Sequence, residues 1–175
     1  PAGEIAAFES GDCHINYQTT GDYIDVHESL GMNIVEAVTA ATVIARVHMD
    51  LAPYDDKRVR NALQLACDNQ VVTDIGFQGR GSAAENHHVC PIHPEYAEIP
   101  KVATDKSKAM SLLKEAGQAD YEHELISIDD QWRRDATDAV AEELRSAGIK
   151  VKRTIIPGSS FWNNWLQYPY STTSW

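Results

Sequence analysis

The sequence is poor in cysteine: Cys13, Cys67 and Cys90 are the only thiols in 175 residues. Three cysteines are too few for a small scaffold that disulfides hold together. Because the count is odd, at least one thiol stays outside any intramolecular pair. The cysteines therefore leave the redox compartment of the protein undecided.

Long hydrophobic runs are missing as well. No stretch of about 18 apolar residues occurs, which argues against a membrane-spanning helix. No secretion signal is visible, and the chain starts at Pro1 instead of Met. We expect this start, and the abrupt stop at Trp175, to be cuts in a longer protein.

Basic residues are outnumbered by acidic ones. The chain carries 15 Lys and Arg against 26 Asp and Glu, a formal net charge of −11. Such a surface repels nucleic acid and anionic lipid, so neither is an expected partner. The 43% hydrophobic content is ordinary for a soluble globular protein, and the length suffices for one domain with its own core.

Catalytic signatures are absent too. The sequence has no Gly-x-Ser-x-Gly elbow and no His-Glu-x-x-His pair. Gly79-Arg80-Gly81 is followed by Ala84 where a third glycine would stand, which excludes a nucleotide loop. Asp129 and Asp130 flank the start of a helix, where dipole compensation explains them. We therefore predict no enzyme activity and no cofactor.

Periodicity predicts a chain of alternating helices and strands. Helices are expected over 3–10, 20–30, from after Tyr54 to about Asp68, and over 70–75, 107–116, 131–147 and 159–167. Strands are expected over 13–17, 33–38, 42–49, 122–128 and 149–156. The last two strands flank one helix and should be parallel. The predicted fold class is α/β (α+β), a mixed sheet flanked by helices.

The segment around Tyr54 is the most informative local pattern. Pro53 is expected to end a strand because it removes a ladder donor. Asp55 stands where the N-cap of the next helix belongs. An apolar stripe should form the buried face of that helix: Val59, Ala62, Leu63 and Ala66.

Two sets of residues are candidates for ligand contact. Arg46 lies in an otherwise apolar strand, and His48 points to the same side by period-two alternation. Arg46 could bind the carboxylate of a peptide, form an internal salt bridge, or lie on a solvent-exposed face of the strand. The irregular stretch 76–105 is long enough to be functional. Within it, 86–93 holds three imidazoles and a thiol, ligands that suit zinc, copper or nickel.

The spacing within 86–93 matches no standard structural zinc pattern, and no metal site is predicted. The default interpretation is a structural loop, with Asn86 and His87 as contacts at the edge of a cleft. Trp162 and Trp165 are three apart on one helical face and are expected in the core. Trp175 is a separate aromatic candidate, since aromatic faces suit extended peptides or sugars.

Five segments, in this order, resemble extracytoplasmic solute-binding proteins of the peptide/nickel type. The Lys-Ala-x-x-Leu-Leu-x-Glu-Ala-Gly helix at 108–117 is one of them. The segments that carry the resemblance are 7–12, 52–66, 79–97, 108–117 and 143–151. The resemblance implies a binding protein that feeds an ABC importer in the periplasm, with the permease subunits as partners.

The resemblance also implies that residues 1–175 form a single domain, part of the second of two lobes. The first lobe and the C-terminal return would be absent. In such receptors the strand of Arg46 borders the cleft, and Trp175 lies where a strand approaches the ligand. Together with the candidates from the residue patterns, the expected ligand-binding residues are Arg46, His48, Asn86, His87 and Trp175.

Three functions remain open on the sequence. The first is capture of di- or oligopeptides, and the second is binding of metal chelates of the nickel type with the histidine-rich loop involved. The third is a hydrolase on a receptor-like fold, which fold analogy does not exclude.

Overall fold

The computed structural model of the protein describes residues 2–19 and 21–174, so Pro1, Thr20 and Trp175 lie outside the described residues. The chain divides into two compact units, the first ending at Thr39 and the second beginning at Ala40. The elements of the first unit are α1 (Ala2–Glu9) and α2 (Gly21–Ser29). The second unit contains β1 (Val43–Val47), α3 (Lys57–Ala66), α4 (Asn69–Gly76), α5 (Lys106–Glu115), β2 (Glu122–Ile128), α6 (Gln131–Ser146), β3 (Lys150–Ile156), α7 (Gly158–Asn164) and β4 (Tyr170–Ser174).

The first unit packs α1 against α2. Phe8, Ile24 and His27 are buried. The His27 ring meets Phe8 edge-on at 5.4 Å between centroids, and its Nε2 lies 3.3 Å from a carboxylate oxygen of Glu4. Gly31 follows α2 with a positive φ of 79°, as a left-handed cap requires. Both helix predictions for this unit are confirmed.

The strands predicted over 13–17 and 33–38 are wrong. Both stretches are irregular, and their apolar side chains face solvent, with Ile15 83% and Val35 87% exposed. The β-branched residues of 33–38 fit a pleated, half-buried surface, but a strand also needs a partner. Within 2–19 and 21–39 the described backbone pairs with none.

The second unit is built on a four-stranded sheet with the order β1-β4-β2-β3. β2 is parallel to β3, with register from Glu122 opposite Lys150 to Ile128 opposite Ile156. β4 is parallel to β2, whereas β1 is antiparallel to β4. The predicted parallel pair and the predicted mixed sheet flanked by helices are confirmed.

β4 is a central strand that the sequence pattern does not predict. Ser171, Thr172 and Thr173 form its middle, and all three are buried. A run of Ser and Thr residues is typical of a loop sequence. Here it forms a buried strand because it pairs with strands on both sides. This strand lies between β1 and β2 in the middle of the sheet.

Hydrophobic clusters cover both faces of the sheet. α3, α5 and α6 pack on one face, and α7 packs on the other through Phe161, which contacts Ile126 and Ile128. The predicted stripe of α3 is fully confirmed, since all four residues are buried. The largest buried side chains of the first face are Tyr54, Val59, Leu113, Leu125 and Leu144.

Several local predictions need correction. β1 ends at Val47, so Pro53 lies in a turn and does not end the strand. The N-cap of α3 is Asp56, whose side chain accepts a hydrogen bond from the Arg58 N–H, and not Asp55. Trp162 is 46% exposed, because α7 turns Phe161 toward the sheet instead.

α4 lies against α6 at a close contact. A Cβ on Gly76 would fall 2.5 Å from the Cα of Ala136, so the absence of a side chain permits this approach. The long irregular stretch after α4 is confirmed from Phe77 to Asp105, where Asp105 caps α5. Across the described residues, every helix is too short or too polar to cross a membrane.

Candidate functional site

Three parallel strands end at the same edge of the sheet. β2 ends at Ile128 and β3 at Ile156, and the two are joined there by the Asp129 N–H, which donates to the Ile156 carbonyl at 2.9 Å. The last described residue of β4, Ser174, lies at the same edge. In open α/β sheets, ligands bind in the crevice outside the carboxyl ends of the strands.

A charged pair occupies this edge at the first turn of α6. Asp130 caps the helix by accepting a hydrogen bond from the Arg133 N–H at 3.2 Å. The Arg133 side chain turns back and forms an ion pair with the same carboxylate. Its Nη2 also donates to the Ser174 Oγ at 3.0 Å. Arg133 therefore links the start of α6 to the end of β4.

Arg133 keeps donor capacity beyond these contacts. Its Nε is buried and has no hydrogen-bond partner among residues 2–19 and 21–174. A guanidinium carries five N–H donors and forms paired bonds to carboxylates. The Trp132 ring stacks on it, with 4.0 Å from the guanidinium carbon to the ring centroid. A buried donor without a partner calls for a physical explanation, and a ligand oxygen would supply one.

The surroundings of Arg133 combine an apolar wall with both signs of charge. The Phe77 ring lies 5.6 Å from the Trp132 ring, between centroids, where the long irregular stretch begins. Arg134 lies 3.6 Å from Asp129 on the exposed side. The N-terminus of α6 adds a partial positive charge from the helix dipole. Such a site can hold a carboxylate or an amine on an extended ligand.

The structure places Arg46 and His48 away from this edge. Arg46 is opposite Ser171, three residues before Ser174, and therefore about 10 Å along β4. Its guanidinium donates a hydrogen bond to the Trp165 carbonyl at 2.5 Å and also stacks on the Trp165 ring. Burial lowers the pKa of Arg46. His48 lies beyond the last pair of the ladder, and its N–H bonds the Pro169 carbonyl.

Asn86 and His87 lie in the irregular stretch 77–105. The Asn69 amide of α4 donates to the Asn86 Oδ1 at 3.1 Å, which ties the stretch to that helix. The His87 Nε2 lies 3.2 Å from a carboxylate oxygen of Glu85, and Tyr96 donates to the same oxygen at 2.9 Å. The hydrogen bond from Tyr96 holds the pKa of Glu85 below its usual range.

The described histidines of this stretch do not converge. In the described part of the chain, no group of three or more His, Cys, Asp or Glu residues is arranged to hold a metal ion. The fifth candidate, Trp175, lies outside the described residues. The four described candidates, Arg46, His48, Asn86 and His87, are thus distributed over two places, and neither place is the Arg133 edge.

Sequence reasoning missed Arg133 and Ser174. Part of the signal is present in the sequence, since 122–128 is a predicted strand and the residues after such a strand lie at the carboxyl edge. Asp129 and Asp130 stand there in the sequence, but the helix dipole alone is enough to explain them. The contact between Arg133 and Ser174 spans 41 positions and depends on the placement of β4, which no local pattern provides.

Comparison with known proteins gives a family match over the whole sequence. The family model described as bacterial extracellular solute-binding proteins, family 5 Middle, matches residues 1–175. The chain is 24% identical over 172 residues to the oligopeptide-binding protein AppA of Bacillus subtilis, which covers 89% of this chain and 32% of the relative. It is 41% identical over 69 residues to di/tripeptide-binding protein 1 of Pseudomonas aeruginosa, covering 39% of this chain and 13% of the relative.

The fold is shared with solved structures of other proteins. The crystal structure of NikA from Brucella suis in complex with Fe(III)-EDTA matches with a TM-score of 0.73 at 20% identity, covering 100% of this chain and 39% of that one. At this identity the likeness concerns the fold alone. The chain spans about a third of the length of AppA and a smaller share of the Pseudomonas relative.

Proposed function

Because the chain belongs to the bacterial extracellular solute-binding proteins of family 5, we propose that it is part of a receptor that captures di- or oligopeptides for an ABC importer. The observation that carries the proposal is the family match over all 175 residues. The names of the relatives support the ligand class, since one is an oligopeptide-binding protein and another a di/tripeptide-binding protein. Receptors of this kind work outside the cytoplasm and deliver ligand to permease subunits, which we propose as the partners.

The chemistry of the carboxyl edge supports a peptide ligand. A free peptide carries a carboxylate at one end and an amine at the other. Arg133 offers an unpaired buried donor for the carboxylate, while Asp129 and Asp130 offer acceptors for the amine. Trp132 adds an aromatic surface that tolerates many side chains.

We further propose that residues 1–175 belong to the second of two lobes that close over the ligand. Pockets between lobes are completed by both sides, so ligand affinity would require the other lobe. Within this proposal, five further residues stay candidate ligand contacts in addition to Arg133: Arg46, His48, Asn86, His87 and Trp175. Arg46 would have to exchange its bond to the Trp165 carbonyl for a bond to the ligand.

The proposed role is that of a binding component and not of an enzyme. A capture site needs complementary charge and apolar contact, which the edge around Arg133 has. Hydrolysis would need a nucleophile or a water-activating pair at the ligand, and the proposal assigns none. Recovery of unchanged ligand after binding is therefore part of the test.

Isothermal titration calorimetry of the intact protein against defined peptide pools tests the proposal. We expect saturable heat from at least one pool of di- or oligopeptides, and mass spectrometry should then recover the bound peptide uncleaved. A matched pool with acetylated N-termini and amidated C-termini is the control, and it should bind more weakly because both terminal charges are gone. Heat from no peptide pool contradicts the proposal, and cleaved peptide favours the hydrolase.

The second candidate is a receptor for metal chelates. It is favoured by the histidine-rich stretch 86–93 and by the fold shared with NikA. Titration with nickel ions and with Fe(III)-EDTA, on the wild type and on His87→Ala/His88→Ala, separates it from the first. Binding of a metal chelate that is lost in the double variant, with no peptide bound, would replace the peptide proposal.

A further inference from the structure

A cysteine and a histidine meet in the long irregular stretch, outside the carboxyl edge. The His93 N–H donates to the Cys90 carbonyl at 2.9 Å and closes a turn. The turn folds the imidazole back over Cys90, so that the His93 Nδ1 lies 3.2 Å from the Cys90 Sγ. Both residues are half-buried. The thiol is therefore within reach of a base and near solvent.

The imidazole also serves the turn itself. The Cys90 N–H donates to the same Nδ1 at 3.0 Å, so His93 satisfies a backbone donor. This explains why the ring is held in place, and any acceptor of similar shape would do the same. This backbone hydrogen bond does not require a thiol at position 90. The pairing of a nucleophile with a base within hydrogen-bond distance is the additional feature.

The other two thiols sit in different surroundings and provide internal comparisons. The Cys13 Sγ donates to the Ile15 carbonyl at 3.3 Å, an acceptor that cannot take up a proton. Burial, and then the nearby Glu143, raise the pKa of Cys67 to about 12, which disfavours the reactive thiolate. Reactivity at Cys90 can thus be measured against two thiols of the same molecule.

We propose that Cys90 and His93 form a thiol–base pair that undergoes thiol–disulfide exchange with small disulfides. In this step the thiol proton of Cys90 moves to the His93 Nδ1, which gives up its hydrogen bond from the Cys90 N–H. The Cys90 sulfur then attacks one sulfur of a disulfide R–S–S–R. A new Cys90–S–S–R bond forms as the old disulfide bond breaks, and the leaving R–S⁻ receives the proton to become R–SH. The Cys90 sulfur is oxidised, the leaving sulfur is reduced, and no further reactant is needed.

This inference is independent of the proposed peptide binding. The pair lies in residues that are described, and its chemistry involves no group of the Arg133 edge. A failure of the exchange test would leave the receptor proposal unchanged, and the reverse also holds.

Modification of the intact, reduced protein by cystamine near neutral pH tests the pair. Peptide mass spectrometry follows the adduct on each cysteine over time, so the three thiols are compared within one sample. We expect Cys90 to react at least about tenfold faster than Cys13 and Cys67, because a positioned base accelerates proton transfer. Equal or slower reaction at Cys90 overturns the proposal.

Two variants show whether the imidazole is responsible. His93→Asn keeps an acceptor for the Cys90 N–H but cannot act as the base, and should slow modification of Cys90 about tenfold while Cys13 is unchanged. His88→Asn removes an exposed imidazole from the same stretch and should leave the rate of Cys90 modification unchanged. An unchanged Cys90 rate in His93→Asn also overturns the proposal, and the wild-type comparison decides if that variant does not fold.

Discussion

At the scale of single residues, His123 is a histidine buried inside a strand of the sheet. It is fully buried in β2, and its Nδ1 lies 3.1 Å from the Tyr54 hydroxyl. The Tyr121 ring meets it edge-on at 4.9 Å between centroids. Burial lowers the pKa of His123 to about 4, so the folded protein holds a neutral imidazole.

This burial predicts loss of stability in mild acid. Between pH 6.5 and about 4 the unfolded chain binds a proton at His123 that the folded chain does not, so stability falls as the pH falls through this window. From pH 7 to 5 we expect His123 alone to account for about 2 kcal/mol of lost unfolding free energy. Urea denaturation at a series of pH values measures it.

The matched variants separate His123 from the other histidines. His123→Asn keeps a polar atom near the Tyr54 hydroxyl but does not titrate, so its stability should depend less on pH. His88→Asn, an exposed position, should keep the wild-type slope. Equal slopes in wild type and His123→Asn would show that His123 does not carry the effect.

At the scale of elements, periodicity predicts what lies within one helix or strand. The buried stripe of α3 and the β2–α6–β3 unit follow from spacing that is local, and both are confirmed. Boundaries are less secure, because adjacent residues compete for the same role. Asp55 and Asp56 are both good N-caps by type, and the backbone geometry of the turn after Pro53 selects Asp56.

The choice of cap is a testable difference between two neighbours. Asp56→Ala removes the acceptor of the Arg58 N–H and should lower the unfolding free energy by about 1 kcal/mol. Asp55→Ala, one residue earlier, should change it by less than about 0.5 kcal/mol. Thermal and urea unfolding of both variants measure the difference. A larger loss in Asp55→Ala would show that Asp55 is the N-cap, as the sequence pattern predicts.

At the scale of the whole molecule, the sequence predicts the fold class but not the assembly of the site. β4 escapes prediction because its buried Ser171, Thr172 and Thr173 gain their place only from β1 and β2 on either side. The Arg133 edge depends on that strand. The errors at 13–17 and 33–38 have the same origin, since strand propensity without a partner leaves an irregular segment.

The family match is the global observation that local reasoning anticipated best. Short segments in the right order resembled peptide receptors, and the match extends over the whole chain. Which residues hold the ligand is a finer question, and it separates Arg133 from the candidates that the sequence favours. A substitution at Arg133 therefore tests the account at its centre.

The deciding measurement is the Kd of a peptide that binds the intact protein, for wild type, Arg133→Gln and Arg134→Gln. Arg133→Gln removes the charge beside Asp130 and Ser174, and we expect it to weaken binding about tenfold to a hundredfold. Arg134→Gln alters the adjacent, more exposed arginine and should stay within about threefold. Wild-type affinity in a folded Arg133→Gln protein, or an equal loss in both variants, would contradict the account.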